Sequence, residues 1–115
     1  MTRRKTGTHS EAIAAAALTR AGYTILDRNW RCPAGELDLV AQHHGEIVFI
    51  EVRSRTDGPD TALESITVGK RKRLARLAYA YLAAHGLDSA AFRIDVVAVG
   101  LRSQSVEIIE NAIGW

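Results

Sequence analysis

Cysteine is nearly absent from these 115 residues. Cys32 stands alone, which excludes an internal disulfide and any cysteine-rich zinc module. A lone thiol fits a reducing, cytoplasmic compartment. Long apolar runs are missing too. The candidate "AIAAAAL" follows Arg3, Arg4 and Lys5 as the apolar core of a signal peptide would. Glu11 interrupts the approach, however, the run is short, and no cleavage-like tail precedes Arg20. It reads as a helix of the mature protein. Nothing reaches transmembrane length, so no membrane association is expected. Internal repeats and low-complexity tracts are absent as well. The length leaves room for one domain with a modest core and for no second one.

What remains is a chain whose 47% hydrophobic content suffices for a packed core rather than a disordered tail. The net charge is only +2, but it is unevenly spread. Residues 69–85 carry Lys70, Arg71, Lys72, Arg73 and Arg76 and no acid, whereas residues 36–68 carry seven acids against Arg53 and Arg55. A basic block beside an acidic one suits a polyanion-binding surface next to a cation-binding pocket; a solvated helix face with ordinary surface acids is the plainer alternative.

The pattern along the chain predicts helix, three strands, helix, two strands. Residues 1–5 read as a mobile basic arm. Thr8 and Glu11 fit a capping box at the start of the first helix, and Gly22 fits its end. "YTILDRNWRC" reads as a strand leaving through Pro33, Ala34 and Gly35. "GELDLVAQH" and "IVFIEVRSR" read as strands joined by a turn at "HHGE", and "TDGPDTALES" reads as a loop. Thr67 caps a second helix, where Leu74, Leu77, Ala78, Tyr81 and Leu82 form the apolar stripe, Lys72 and Arg76 the opposite face, and Gly86 the end. "AFRIDVVAVG" and "SVEIIENAI" complete the strands. The expected fold is α/β: one mixed sheet flanked by helices, order α-β-β-β-α-β-β.

Carboxylates sit inside strands that want Val or Ile. Centring the turn between His44 and Gly45 puts Asp38 opposite Glu51 and Glu36 opposite Arg53, with Asp38, Glu51 and Arg53 on one face. Like charges facing each other destabilise a sheet, and half-buried carboxylates without partners take up protons. A hard divalent cation between them resolves the conflict. The alternative is two acids facing solvent from an uncovered sheet face, although "IVFIEV" is apolar on both sides of Glu51, as in a strand covered twice. Glu11 belongs either to the capping box or to such a site. His43 and His44 read as exposed turn residues, Trp30 and Tyr81 as core, and Asp95 with Arg93 as a structural ion pair.

"GELDLVA" followed by "IVFIEVRSR" resembles the core of the PD-(D/E)xK nuclease superfamily. Together with "GTHSEAIAAAAL", "NWRCPAGELDLVA", "TVGKRKRL" and "RIDVVAV", the chain resembles the YraN-like family, small bacterial proteins predicted to be endonucleases and similar to Holliday-junction resolvases. Ser10 replaces the second glycine of that family's opening helix motif. The resemblance implies a restriction-endonuclease-like fold and Mg2+ (or Mn2+) held by Asp38, Glu51 and Glu11. It also implies a catalytic set of Glu11, Asp38, Glu51 and Arg53, phosphodiester hydrolysis in nucleic acid, DNA with branches in particular, and a homodimer. Arg53 stands where the superfamily normally has lysine. Phosphate contacts are expected from Arg55, Lys70, Arg71, Lys72 and Arg73. Two rivals stand beside the nuclease: a non-catalytic nucleic-acid-binding module with the same fold, and a scaffold whose basic helix docks an acidic partner.

Overall fold

The computed structural model describes residues 2–55, 66–102 and 105–113; for residues 2–8 and 55 it describes the backbone alone. The elements run α1 (Thr2–Arg20), β1 (Thr24–Cys32), β2 (Gly35–His43), β3 (Glu46–Arg55), α2 (Val68–Ala84), β4 (Phe92–Gly100) and β5 (Val106–Ile109). The five strands form one sheet in chain order. Only the β3–β4 pair is parallel; β1–β2, β2–β3 and β4–β5 are antiparallel. A parallel pair needs a crossover, and α2 is carried by it. The α-β-β-β-α-β-β order is the one expected.

The hairpin register follows from its turn. His44 (φ 51°) and Gly45 (φ 79°) both occupy the left-handed region, as the two central residues of a type I′ turn must. His43 is therefore paired with Glu46, Val40 with Phe49 and Leu39 with Ile50. The expected centring between His44 and Gly45 is correct.

β3 is central and covered on both sides. Ile47 and Phe49 pack with Leu74, Leu77, Ala78, Tyr81 and Leu82, the predicted stripe of α2. Val48 and Ile50 pack with Ala14, Ala15 and Leu18 of α1. Each large aliphatic side chain so buried contributes about 1.5–3 kcal/mol, which is why "IVFI" tolerates no polar residue. Trp30 packs against the α2-side core and Tyr81 lies within it. Thr67 caps α2 as expected, its hydroxyl accepting from the Lys70 amide at 3.2 Å.

Three expectations need correction. α1 starts at Thr2, so from that residue the supposed arm is helical, and the capping box at Thr8 does not exist. Glu11 lies well inside the helix, where the amides it would cap are already used by the helix itself. His43 is buried rather than exposed in the turn: its ring stacks on Tyr23 at 3.8 Å, and the Arg93 guanidinium donates to its Nδ1 at 2.6 Å. The same guanidinium pairs with Asp95 at 3.0 Å, the structural ion pair expected, and with Glu46 at 2.9 Å. Asp95 also accepts from the Tyr23 hydroxyl and the Asn111 amide. Burial with these partners pushes the Tyr23 hydroxyl up to about 12. The loop expected at "TDGPDTALES" lies outside the described residues.

Candidate functional site

The β2–β3 ladder runs from His43–Glu46 to Leu39–Ile50, while β3 goes on pairing with β4 as far as Arg55. Beyond Leu39 the two strands of the hairpin part. Alternation breaks at the same place. Leu37 and Val40, three residues apart, would face opposite ways in a regular strand, yet both lie in the α2-side core. In the fork, the Asp38 carboxylate accepts the Val52 amide at 2.9 Å, replacing a backbone carbonyl as that amide's partner. A strand that leaves its neighbour strands backbone donors, and an acidic side chain is a strong acceptor for one of them.

The fork opens into a cavity of about 460 Å³ lined by Glu11 of α1, Asp38 of β2, Glu51 and Arg53 of β3, and Lys70 and Arg73 of α2. Ser10, Glu36, Val52 and Ser54 complete most of the wall. All four residues read as catalytic therefore meet at one place. They do so at the split end of the sheet, where the Val52 amide taken by Asp38 belongs to a residue of the same cavity wall.

Charges inside the cavity are unbalanced. Burial, and then the Glu51 charge, push the Asp38 carboxyl up to about 8, against the pull of the Val52 amide. Glu51 acts on Asp38 both through its charge and through its side chain, and both favour the protonated form of Asp38. Burial also raises Glu11, although hydrogen bonds from Asn29 and Asp38 oppose it and the charges of Glu36 and Glu51 add to it. Arg53 donates to Glu51 at 3.3 Å, with side chains 26% and 12% exposed. Glu36 does not take the role expected across the hairpin: its carboxylate receives Arg31 of β1 at 3.3 Å.

The remaining expectations divide. Lys70 and Arg73 line the cavity; Arg71 and Lys72 are exposed and are not part of that lining. The Arg55 backbone pairs with Gly100 in the last described step of the β3–β4 ladder, and its side chain lies outside the described residues. Two contributors were missed. Ser10 is buried and hydrogen-bonds through its hydroxyl to Ser54, fastening α1 to β3 one residue from Glu11. Asn29 reaches Glu11 from β1 with φ 54°. Only the polarity of "RNW" inside a strand could have hinted at it.

Oxygen donors of this kind suit Mg2+ or Mn2+, which take one or two carboxylates and complete their shell with water and phosphate oxygens. Among the described residues no three carboxylate, imidazole or thiol groups are gathered closely enough to hold an ion by themselves. The fit therefore rests on Asp38 and Glu51, the second of whose charges works against ionisation of the first, with Glu11 in the same cavity lining. Among the described residues no helix is long and apolar enough to cross a membrane.

Residues 10–99 match the model of an uncharacterised protein family, UPF0102. A UPF0102 protein of Roseiflexus castenholzii is 55% identical, the alignment covering 94% of this chain and 92% of the relative. One from Moorella thermoacetica is 51% identical, covering 97% and 98%. Another, from Mycobacterium avium, is 45% identical over 86% and 80%.

Proposed function

The chain belongs to the uncharacterised protein family UPF0102, the YraN-like group, and from that membership and the cavity geometry we propose that it is a divalent-metal-dependent endonuclease acting on DNA. One observation carries this reading: acids on three separate elements converge in the β2–β3 fork, with basic residues of α2 on the wall beside them. Arg53 alternates with the acids through Glu51, but Lys70 and Arg73 stand on a separate element, as a phosphate beside a cation calls for.

Each side chain has a place in that chemistry. Asp38 and Glu51 hold Mg2+ or Mn2+, with Glu11 as a further oxygen donor. When bound, the ion lowers the pKa of a water and offsets charge on the phosphate. Lys70 and Arg73 hold the phosphates of the bound strand. Arg53, anchored on Glu51, keeps a permanent positive charge where negative charge develops in hydrolysis. It cannot take a proton from water, because a guanidinium stays charged at any working pH. The substitution of arginine for lysine thus removes general-base chemistry at this position and leaves electrostatic stabilisation. Structured DNA such as a branch or junction is the substrate proposed, the protein acting as a homodimer.

The test is cleavage of branched DNA with Mg2+ or Mn2+, with Asp38→Ala and Glu51→Ala expected to abolish it. A second reading has a specific observation behind it: the Arg53–Glu51 ion pair occupies one of the acids. A protein committed to binding alone would show salt-sensitive DNA affinity that survives both substitutions, without cleavage. Absence of DNA affinity at low salt would refute both readings and leave a scaffold for an acidic partner.

A further inference from the structure

On the metal-site reading above, we propose that Asn29 is a positioning residue, whose side-chain amide holds the Glu11 carboxylate toward Asp38 and Glu51. Three independent features of β1 point to it.

The first is level. Arg28 pairs with Leu39 and Trp30 with Leu37, so Asn29 lies beside Asp38 across the β1–β2 ladder, at the mouth of the fork. The second is backbone conformation. Asn29 has φ 54° in mid-strand, where no turn calls for it, since β1 continues to Cys32. For a residue with a Cβ this conformation is unfavourable, and asparagine is among the few that visit it routinely. The reversal breaks alternation in β1 just as β2 breaks beside it. Asp27 and Trp30, three residues apart, both meet Tyr81 of α2, Asp27 through its carboxylate at 2.9 Å and Trp30 edge-on at 5.2 Å. Asn29 is thereby turned away from that side and toward α1.

The third feature is what it meets there. Its amide donates to Glu11, which Asp38 also contacts. The Ser10–Ser54 hydrogen bond already ties the α1 backbone to β3 next door. What remains undetermined for Glu11 is its side-chain direction, with the like charges of Glu36 and Glu51 repelling it and Asp38 in contact. A neutral donor on the opposite side selects the inward-pointing arrangement. An aspartate at position 29 would repel Glu11, and glycine would satisfy the φ angle but hold nothing. Outer partners of ligating carboxylates work in this manner, orienting the ligand without touching the ion.

Asn29→Gly is the informative substitution, because glycine adopts φ 54° without strain and so separates the hydrogen bond from the backbone. Mn2+ binding is read without DNA, from the loss of the free-ion electron paramagnetic resonance signal, for wild type, Asn29→Gly, Glu11→Gln and the double variant. Asn29→Gly is expected to weaken Mn2+ binding about 3–10-fold, at the low end for an outer-shell partner because Asn29 is exposed. In the Glu11→Gln background the same change is expected to do nothing. Wild-type affinity in Asn29→Gly overturns the inference, as does an equal loss with and without Glu11; both leave the metal site standing. If wild type itself fails to bind Mn2+, the metal-site reading falls, and this inference with it.

Discussion

Replacing Asp38 by asparagine should make the metal-free protein more stable at pH 8 and change it little at pH 5. The sign follows from the direction of the shift. Asp38 is raised from 3.8 to about 8 in the folded chain, so between those limits the native state holds a proton that the unfolded state has released. Stability then falls as pH rises, by about 1.4 kcal/mol per pH unit while the difference in protons is complete. Asp38 is only partly buried, and solvent screening trims the loss between pH 5 and 8 to about 2 kcal/mol. Asparagine keeps an oxygen for the Val52 amide and loses the charge. Glu11 is raised as well and contributes in the same direction; because it contacts Asp38, the difference between the two proteins reports the coupled pair rather than Asp38 alone. The assay is urea unfolding in EDTA at pH 5, 6.5 and 8, followed by tryptophan fluorescence. Wild type should lose about 2 kcal/mol relative to Asp38→Asn across the series. Saturating Mg2+ at pH 8 should restore the wild type and not the variant, since a ligand stabilises only the state that binds it. Parallel pH profiles for the two proteins would refute the reasoning, and so would a wild type that gains on the variant as pH rises.

Other residues carry predictions of their own. On the proposed nuclease reading, Arg53→Ala should reduce the cleavage kcat by about 10²–10³-fold, whereas Arg53→Lys should stay within about tenfold of wild type, because that reading assigns Arg53 a charge alone; steady-state cleavage of junction DNA measures both. Removing Lys70 and Arg73 together should flatten the dependence of log binding constant on log salt by about 2, roughly one counterion for each phosphate that the variant no longer neutralises. Asp95→Ala should cost about 3 kcal/mol in urea unfolding, since it removes the fully buried partner of the Arg93 guanidinium and leaves it the more exposed Glu46. Cleavage per folded molecule should be unaffected by that change, because Asp95 does not line the cavity.

The legible parts of this protein were those set by local chemistry. A two-residue turn with positive φ at His44 and Gly45 determines which residues of β2 and β3 face each other, and both residues are adjacent in sequence. The stripe of α2 and the Thr67 cap likewise depend on spacing within one segment. What escaped depends on contacts between segments. Nothing near Thr8 says that α1 begins earlier, at Thr2. His43 looks like a turn residue until Arg93 and Tyr23, far along the chain, close over it. Asn29 reads as one polar residue in a strand because its partner, Glu11, is on another element.

The deepest of these omissions is the fork itself, and it changes why the acids are there. An unbroken hairpin would have set Asp38 squarely against Glu51, which is a reason for such a sheet not to form. The actual strands avoid this by parting just past Leu39 and Ile50, and the parting is what Asp38 stabilises when it takes the Val52 amide. The carboxylates are therefore not polar defects in an otherwise regular sheet. One of them closes the end of the ladder, and its neighbour across the fork adds a like charge that disfavours ionisation of the first. Arg53 does not relieve Asp38 in that arrangement: it pairs with Glu51, on its own strand, and the Asp38 carboxyl is still held up at about 8. On the proposed reading a dication held by Asp38 and Glu51 would relieve it, with Lys70 and Arg73 on the same cavity wall for a phosphate. On the proposed nuclease reading, cation binding displaces the proton that burial favours on Asp38, and proton release on Mg2+ addition at about pH 7, absent in Asp38→Asn, is the direct measure of it.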